Sequence, residues 1–259
     1  MRFCIVGHPV SHSLSPRIYT RFFEMKGIDA TYEALNIQTG EFSSVIDVLL
    51  KEYDGLNVTI PFKEAVVAHV DCMVERSLRA VNCIFKGVGY NTDWIGFSNS
   101  LRDIKIEEPI TILGAGGASR AVIYALKEFG VNRINVINRS TVRAERVAED
   151  FNNRNFEVKI FSFDSLPSIV KKSKSIINAT SIGMKGEYLS LGREEFQGIS
   201  LVYDLIYSET PLQKVARECG VEKVIDGKAM LFFQACENLK IWGLFDKKTF
   251  ERAFEEVVR

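Results

Sequence analysis

The spacing of apolar residues alternates between two periods along the chain. Arg2-Phe3-Cys4-Ile5-Val6 is an almost unbroken apolar run stopped by Gly7-His8-Pro9, the pattern of a strand buried on both faces. Ile18, Phe22, Phe23 and Met25 then recur at helical spacing up to Gly27, with Pro16 suited to the first helical position and Ser15 to the cap before it. A strand over 31–37, a helix over 41–51 and a strand over 53–58 follow, the helix carrying Phe42, Val45, Ile46, Leu49 and Leu50 on one face. Next come a strand over 80–85 broken only by Asn82, a turn at Lys86-Gly87-Val88-Gly89, and a helix capped by Asn91 or Thr92 and running towards Asp103.

The second half repeats the alternation. Short β-rich runs at 110–113, 133–137, 157–161, 175–178, 201–205 and 224–227 predict strands, and 228–240 and 247–257 predict two terminal helices. Strands alternating with helices predict an α/β protein with largely parallel sheet. The expected division is 1–101, 102–230 and a C-terminal pair of helices, 231–259, that returns to pack on the first part.

The sharpest local pattern is Ile110-Thr111-Ile112-Leu113-Gly114-Ala115-Gly116-Gly117-Ala118-Ser119. A buried strand, a glycine turn and a helix start form the phosphate-binding corner of a doubly wound, Rossmann-type sheet. Glycines let backbone N–H groups approach a pyrophosphate, and the helix N-terminus adds its positive dipole end. Ser119 stands where the third glycine of that pattern usually falls, so a plain glycine-rich corner is the competing explanation.

An acidic residue about 20 positions further on would mark NAD. None is there. The strand instead ends in Asn138-Arg139-Ser140-Thr141-Val142-Arg143. Two arginines at a helix start oppose the helix dipole and suit a 2′-phosphate, whose oxygens a guanidinium binds in pairs. Further along, Asn178-Ala179-Thr180-Ser181-Ile182-Gly183-Met184 and Tyr203-Asp204-Leu205-Ile206-Tyr207 leave strand ends where the nicotinamide half of such a cofactor rests.

Three other places carry candidate chemistry. Ser13 and Ser15 follow the first strand, although Ser15 can be read as a helix cap alone. Lys63 closes Asn57-Val58-Thr59-Ile60-Pro61-Phe62-Lys63, a proline-stiffened strand end that positions an ammonium better than most surface lysines are positioned. Asp93 lies in a first helical turn, where an aspartate often only matches the dipole. Gln234 sits among Phe232, Phe233 and Ala235 and needs polar partners, of which a substrate hydroxyl is one choice.

Composition narrows the field. The 33 basic and 33 acidic residues cancel, so nothing global favours nucleic acid or an anionic membrane, and any anion site must be local. There is no apolar run long enough to span a bilayer, and the first residues reach a glycine too early for a signal peptide. The five cysteines are scattered without a C-x-x-C pair, which points to reduced thiols and a cytoplasmic protein rather than a disulfide or zinc framework. The three histidines show no metal-ligand spacing, so no metal is expected, and His12 is read as structural.

Taken in order, the motifs resemble the shikimate/quinate dehydrogenase family. They are Gly7-His8-Pro9 with Ser13-Leu14-Ser15-Pro16, the stretch from Asn57 to Lys63, Ala80-Val81-Asn82, Asn91-Thr92-Asp93 with Gly96, Gly114-Ala115-Gly116-Gly117-Ala118, Asn138-Arg139-Ser140 with Arg143, Asn178 to Met184, and Gly227 with Met230 and Gln234. The resemblance spans nearly the whole chain. It implies NADP-dependent interconversion of 3-dehydroshikimate and shikimate, on the route to chorismate and the aromatic amino acids. It implies a substrate-binding domain first and an NADP-binding domain second. It makes Lys63 and Asp93 the catalytic pair and gives the substrate carboxylate to Ser13 and Ser15. Asn57, Thr59, Asn82, Tyr207 and Gln234 then contact the ring hydroxyls or order the pocket. The cofactor falls to Gly114, Ala115, Gly116, Gly117, Ala118, Asn138, Arg139, Ser140, Arg143, Thr180, Leu205, Gly227 and Met230. Quinate as substrate and a homodimer stay open. The chain departs from the usual pattern at Arg79, where glycine is common, at Cys83, at Tyr19-Thr20 and at Lys228.

Overall fold

The computed structural model describes residues 1–258, which form two compact units, 1–96 with 232–258, and 97–231. The division falls inside two helices rather than in linkers.

The first unit begins with β1 (Arg2–Gly7), α1 (Ser15–Lys26), β2 (Thr31–Asn36), α2 (Phe42–Glu52) and β3 (Gly55–Val58). Both β2 and β3 pair with β1 in parallel. The sheet then changes character. A two-residue strand, β4 (Cys72–Met73), and the hairpin β5 (Cys83–Phe85) and β6 (Val88–Tyr90) complete the order β2-β1-β3-β5-β6-β4, and β5 runs antiparallel to both β3 and β6. The sheet is therefore mixed. Two expectations change here. The strand expected over 80–85 is regular only over β5, although the Asn82 backbone still bonds to Val58 on one side and Tyr90 on the other. The expected four-residue turn is only Lys86-Gly87, both with positive φ (50° and 77°), as a tight primed hairpin turn requires. Val88 to Tyr90 is strand.

α3 (Thr92–Ser100) follows, three residues shorter than expected. Of its two proposed caps, Asn91 is the one that acts: Asn91 Oδ1 accepts from the N–H groups of Asp93 (3.1 Å) and Trp94 (3.3 Å). Ser15 is not a cap. Leu14 occupies that position with helical backbone angles, and Ser15 is the first residue of α1. Ser13 Oγ accepts the Ser15 N–H at 3.3 Å, so the side-chain role expected of Ser15 is taken two residues earlier.

In the second unit β7 (Ile110–Leu113), α4 (Gly117–Glu128), β8 (Arg133–Ile137), α5 (Thr141–Phe151), β9 (Glu157–Phe161), α6 (Leu166–Val170), β10 (Ser175–Asn178), β11 (Leu201–Asp204), α7 (Pro211–Glu218) and β12 (Lys223–Ile225) build a sheet of order β12-β11-β10-β7-β8-β9. Every pairing in it is parallel. The chain winds outward from β7 in one direction to β9 and in the other, through β10, to β12. The switch between β7 and β10 is where ligands bind in such sheets.

α8 (Lys228–Ile241) crosses from the second unit into the first, and α9 (Lys247–Val258) ends the described chain. In the first unit, one core gathers Val6, Phe42, Ile46, Leu56, Val58 and Val81 between β-sheet and α2. On the other face Trp242 packs on Phe3 (ring centroids 4.6 Å), Tyr19 stacks on Tyr32 (4.5 Å), and Phe22 meets Phe250 of α9 edge-on (5.7 Å). A side chain at Gly55 would come within 2.7 Å of Trp242 Nε1, so the close seating of Trp242, the residue after α8, on β3 needs a glycine there. No helix among the described residues is long and apolar enough to cross a membrane.

Candidate active site

Lys63 and Asp93 meet. Lys63 Nζ donates to Asp93 Oδ2 at 2.5 Å, and the two side chains are only 12% and 9% exposed. Local structure explains the encounter. Lys63 lies five residues past β3, and its carbonyl accepts the Val81 N–H at 2.8 Å, tying that loop to the segment before β5. Asp93 is the second residue of α3, held there by the Asn91 cap.

Asn82 organises the carboxylate. Its amide nitrogen donates to Asp93 Oδ1 (2.9 Å) and to Thr92 Oγ1 (3.0 Å), while its amide oxygen accepts the Thr92 N–H (2.6 Å). Its backbone is fixed by Val58 on one side and Tyr90 on the other. Asn57 Nδ2 donates to the Asn82 carbonyl at 2.9 Å, and Asn57 Oδ1 accepts from Tyr32 OH at 2.7 Å. Asn57 thus orders Asn82. Burial pushes the Tyr32 phenol well above its ordinary range, partly offset by a hydrogen bond with Ser15. Tyr32, Asn57, Asn82 and Asp93 therefore form one connected polar set. Thr59 directly follows β3, and a side chain at Gly7 would come within 2.4 Å of its methyl.

Sequence reasoning missed Thr92, Asn238, Tyr19 and Tyr32. Thr92 Oγ1 donates to Asn238 Oδ1 (2.8 Å), and Asn238 Nδ2 donates to Tyr19 OH (2.9 Å) and Gln234 Oε1 (3.1 Å). Asn238 is fully buried, and it stands one helical turn after Gln234, a spacing visible in the sequence. Tyr19 is fully buried too, inside what reads as an ordinary apolar helix face. His12, read as structural, is exposed.

Tyr207, expected beside these residues, belongs to the second unit, where it is half-buried after β11. Gly227 and Met230 lie in the second unit as well.

That unit has a glycine turn and a helix start at the switch between β7 and β10. Gly114 has φ of 108°, and a side chain there would press on the Ala179 carbonyl at 3.1 Å. Ser119, which replaces the usual glycine, turns inward and donates to the Gly114 carbonyl at 2.7 Å, bracing the turn. Gly116 is the cap of α4, and Gly117 begins it. Arg139 and Arg143 flank the start of α5, where Ser140 Oγ caps the helix through the Arg143 N–H. Both guanidiniums are exposed, and neither forms an ion pair among the described residues. Glycine turn, open helix start and two uncommitted arginines fit a dinucleotide carrying an extra phosphate.

At the other strand ends, Asn178 Oδ1 accepts from Thr180 Oγ1 (2.6 Å), and Asn178 Nδ2 donates to Asp204 Oδ1 (3.0 Å). Asp204 is fully buried and also accepts from Thr210 Oγ1 (2.6 Å) and the Ile206 N–H (3.1 Å). Burial pushes its carboxyl above the ordinary aspartate value, and those hydrogen bonds pull against the rise. Tyr203 is core: its hydroxyl meets Ser100 Oγ at 2.8 Å and its ring packs on Phe97. A side chain at Gly227 would overlap the Leu205 carbonyl, so that glycine seats the start of α8 against the β11 loop.

Comparison with known proteins bears on the whole chain. A model of the shikimate dehydrogenase substrate binding domain matches residues 5–84, and one of shikimate / quinate 5-dehydrogenase matches residues 99–185. A shikimate dehydrogenase of Thermotoga petrophila is 48% identical over 260 residues, covering 100% of each chain.

The chain belongs to the shikimate dehydrogenase family.

The crystal structure of shikimate dehydrogenase from Thermotoga maritima superposes with a TM-score of 0.94 at 47% identity, over 100% of both chains. Shikimate 5-dehydrogenase from Thermus thermophilus, solved in complex with NADP(H) and shikimate, superposes with a TM-score of 0.81 at 32% identity over 99% of each chain. Family membership gives Arg79 a physical reading. It adopts a left-handed backbone (φ 49°, ψ 33°) just before Ala80, the conformation that suits glycine.

Proposed function

We propose that the protein reduces 3-dehydroshikimate to shikimate with NADPH, and catalyses the reverse with NADP. Its relatives carry that activity in their names, among them the NADP(+) enzyme of Thermotoga maritima at 47% identity. The observation that carries the reading to this chain is the Lys63–Asp93 pair, braced by Asn82.

Reduction of a ring ketone requires a hydride at carbon and a proton at oxygen. When bound, the dinucleotide supplies the hydride. The Lys63 ammonium stabilises the oxygen as it gains charge and delivers the proton. Asp93 holds that ammonium in place. Asn82 donates to the other carboxylate oxygen and keeps Asp93 aligned. Ser13 and Ser15, at the N-terminus of the 12-residue α1, receive the substrate carboxylate, where the helix dipole favours an anion. Thr59, Asn82, Tyr207 and Gln234 take the ring hydroxyls, and Asn57 holds Asn82. The first unit is the substrate domain. The second holds NADP through Gly114 to Ala118, with Asn138, Arg139, Ser140 and Arg143 at the 2′-phosphate and Thr180, Leu205, Gly227 and Met230 towards the nicotinamide. A homodimer and cytoplasmic residence belong to the same reading, and light scattering decides the first.

The test is a spectrophotometric assay at 340 nm, roughly where reduced nicotinamides absorb, with shikimate and NADP, repeated with NAD and with quinate. Turnover confined to shikimate and NADP is the expected result. Quinate turnover at a comparable kcat/KM would widen the substrate class, and absence of any shikimate turnover would overturn the assignment.

A further inference from the structure

A chain of hydrogen bonds joins the Asp93 carboxylate to the Gln234 amide, and its polarity runs one way. A carboxylate only accepts, so Asn82 must present its NH2 to Asp93; the Thr92 N–H on Asn82 Oδ1 enforces the same orientation. Thr92 Oγ1 accepts from Asn82 Nδ2 and passes its own proton on. The nearer acceptor is Asn238 Oδ1 at 2.8 Å, an ordinary hydroxyl–carbonyl distance; Asn82 Oδ1 is at 3.3 Å and already takes the Thr92 N–H. Asn238 therefore turns its oxygen to Thr92 and its NH2 to Tyr19 OH and Gln234 Oε1. All three groups of the Asn238 amide are engaged, in a site without solvent access.

We infer that Asn238 is a positioning residue for substrate recognition: it holds the Gln234 carbonyl inward, so that Gln234 offers the substrate its NH2. The inference rests on Gln234 being a substrate residue, as proposed above. Gln234 then acts as a hydrogen-bond donor and selects a ligand with an oxygen lone pair at that point. With Asn238 reversed or missing, the Gln234 carbonyl loses the Asn238 donor that holds it inward, and this preference weakens. The same relay couples the catalytic carboxylate to the recognition of a ring hydroxyl, with no direct contact between Asp93 and Gln234 needed.

The test is a double-mutant cycle on the full-length protein, read by kcat and by KM for shikimate and for NADP, with thermal melts alongside. Asn238→Leu is expected to raise KM for shikimate about 5- to 30-fold, the span of one hydrogen bond, with KM for NADP unchanged. In the Gln234→Ala background the same substitution is expected to add nothing to KM, because the group it orients is gone. An equal rise in both backgrounds, or a lower melting temperature with unchanged KM, would overturn the proposal. If Asn238→Leu does not fold, the smaller Asn238→Ser serves in the same cycle. The parent protein gives an independent reading: in a glutamine-15N-labelled sample, shikimate is expected to shift the side-chain amide protons that Gln234→Ala removes, and unshifted protons would count against it. A parent protein with no shikimate turnover would instead refute the functional assignment itself.

Discussion

Lys63 and Asp93, thirty residues apart in sequence, form an ion pair of 2.5 Å in which both side chains are almost wholly shielded from water. Positioned acid–base groups typically contribute about 10²–10⁴-fold to rate. Lys63→Met, which keeps most of the stem's volume, is expected to lower kcat by about that factor with little effect on NADP affinity. Asp93→Asn is expected to slow turnover as well, and the double variant to be less than additive, since the two groups act as a unit. Steady-state kinetics decide this. A folded Lys63→Met protein turning over at the parental rate would remove Lys63 from the chemistry.

Cofactor choice is expected to rest on Arg139 and Arg143. Losing one phosphate-binding guanidinium removes a charge-assisted hydrogen bond of about 1.5–3 kcal/mol. Arg139→Asp is therefore expected to weaken NADP roughly 10- to 150-fold more than NAD. The ratio of kcat/KM for the two cofactors is the measurement, and an unchanged ratio would locate the 2′-phosphate elsewhere.

The β5–β6 hairpin carries a lysine in the wrong conformation for a lysine. Lys86 sits at φ 50°, and a left-handed backbone costs an ordinary residue about 1–2 kcal/mol. Asparagine is the residue best suited to the first position of a primed turn before glycine. Lys86→Asn is expected to stabilise the protein by about 0.5–1 kcal/mol, net of the Lys86 stacking on Phe85 that it gives up. Gly87→Ala is expected to destabilise it, because the new methyl meets the Asp71 carboxylate. Chemical denaturation of the two variants should move the midpoint in opposite directions.

Asp204 makes a contribution to pH-dependent stability of unusual sign for a carboxylate. Its folded pKa lies above the ordinary value of 3.8 because it is buried. The folded state therefore holds the proton more tightly than the unfolded state. The stability this provides is fully present below about pH 4, the unfolded pKa, and is lost as pH rises through the raised folded value. Asp204→Asn keeps the hydrogen bonds to Oδ1 and removes the titration. Denaturation midpoints measured against pH should lose that downward step in the variant. A step retained unchanged would assign it to another group.

Four of the five thiols should react in two classes, Cys219 being of intermediate exposure. Cys72 is exposed, whereas Cys4, Cys83 and Cys236 are buried, and burial pushes the thiols of Cys4 and Cys236 up to about 12. A thiolate is the reacting form. Cys72 is expected to take up a thiol reagent promptly at neutral pH, and the three buried thiols only after denaturant is added. Mass spectrometry of the labelled peptides checks the order.

The alternation of apolar runs and helical faces was enough to place most elements and the α/β class, because buried parallel strands and amphipathic helices impose their periods on the sequence. The glycine corner and the two arginines after β8 were legible for a similar reason: each is a local demand of backbone or charge, met by neighbouring residues. The first unit's sheet was read as parallel because its antiparallel members are short. β6 has three residues and was taken for part of a turn, and no period can be read from three residues. Ser15 looked like a cap because caps are recognised by residue type, yet whether Leu14 is already helical depends on backbone angles that residue type does not set. Lys63 and Asp93 could be singled out along the chain, but their pairing could not, since only the folding of β3, β5 and α3 around Asn82 brings them together. Asn238 was the least visible. It lies 146 residues from Thr92, and an asparagine on a terminal helix has the composition of a surface residue. Only when α8 buries it against α1 and α3 does its amide need three partners at once, because a polar group removed from water must find its hydrogen bonds within the protein.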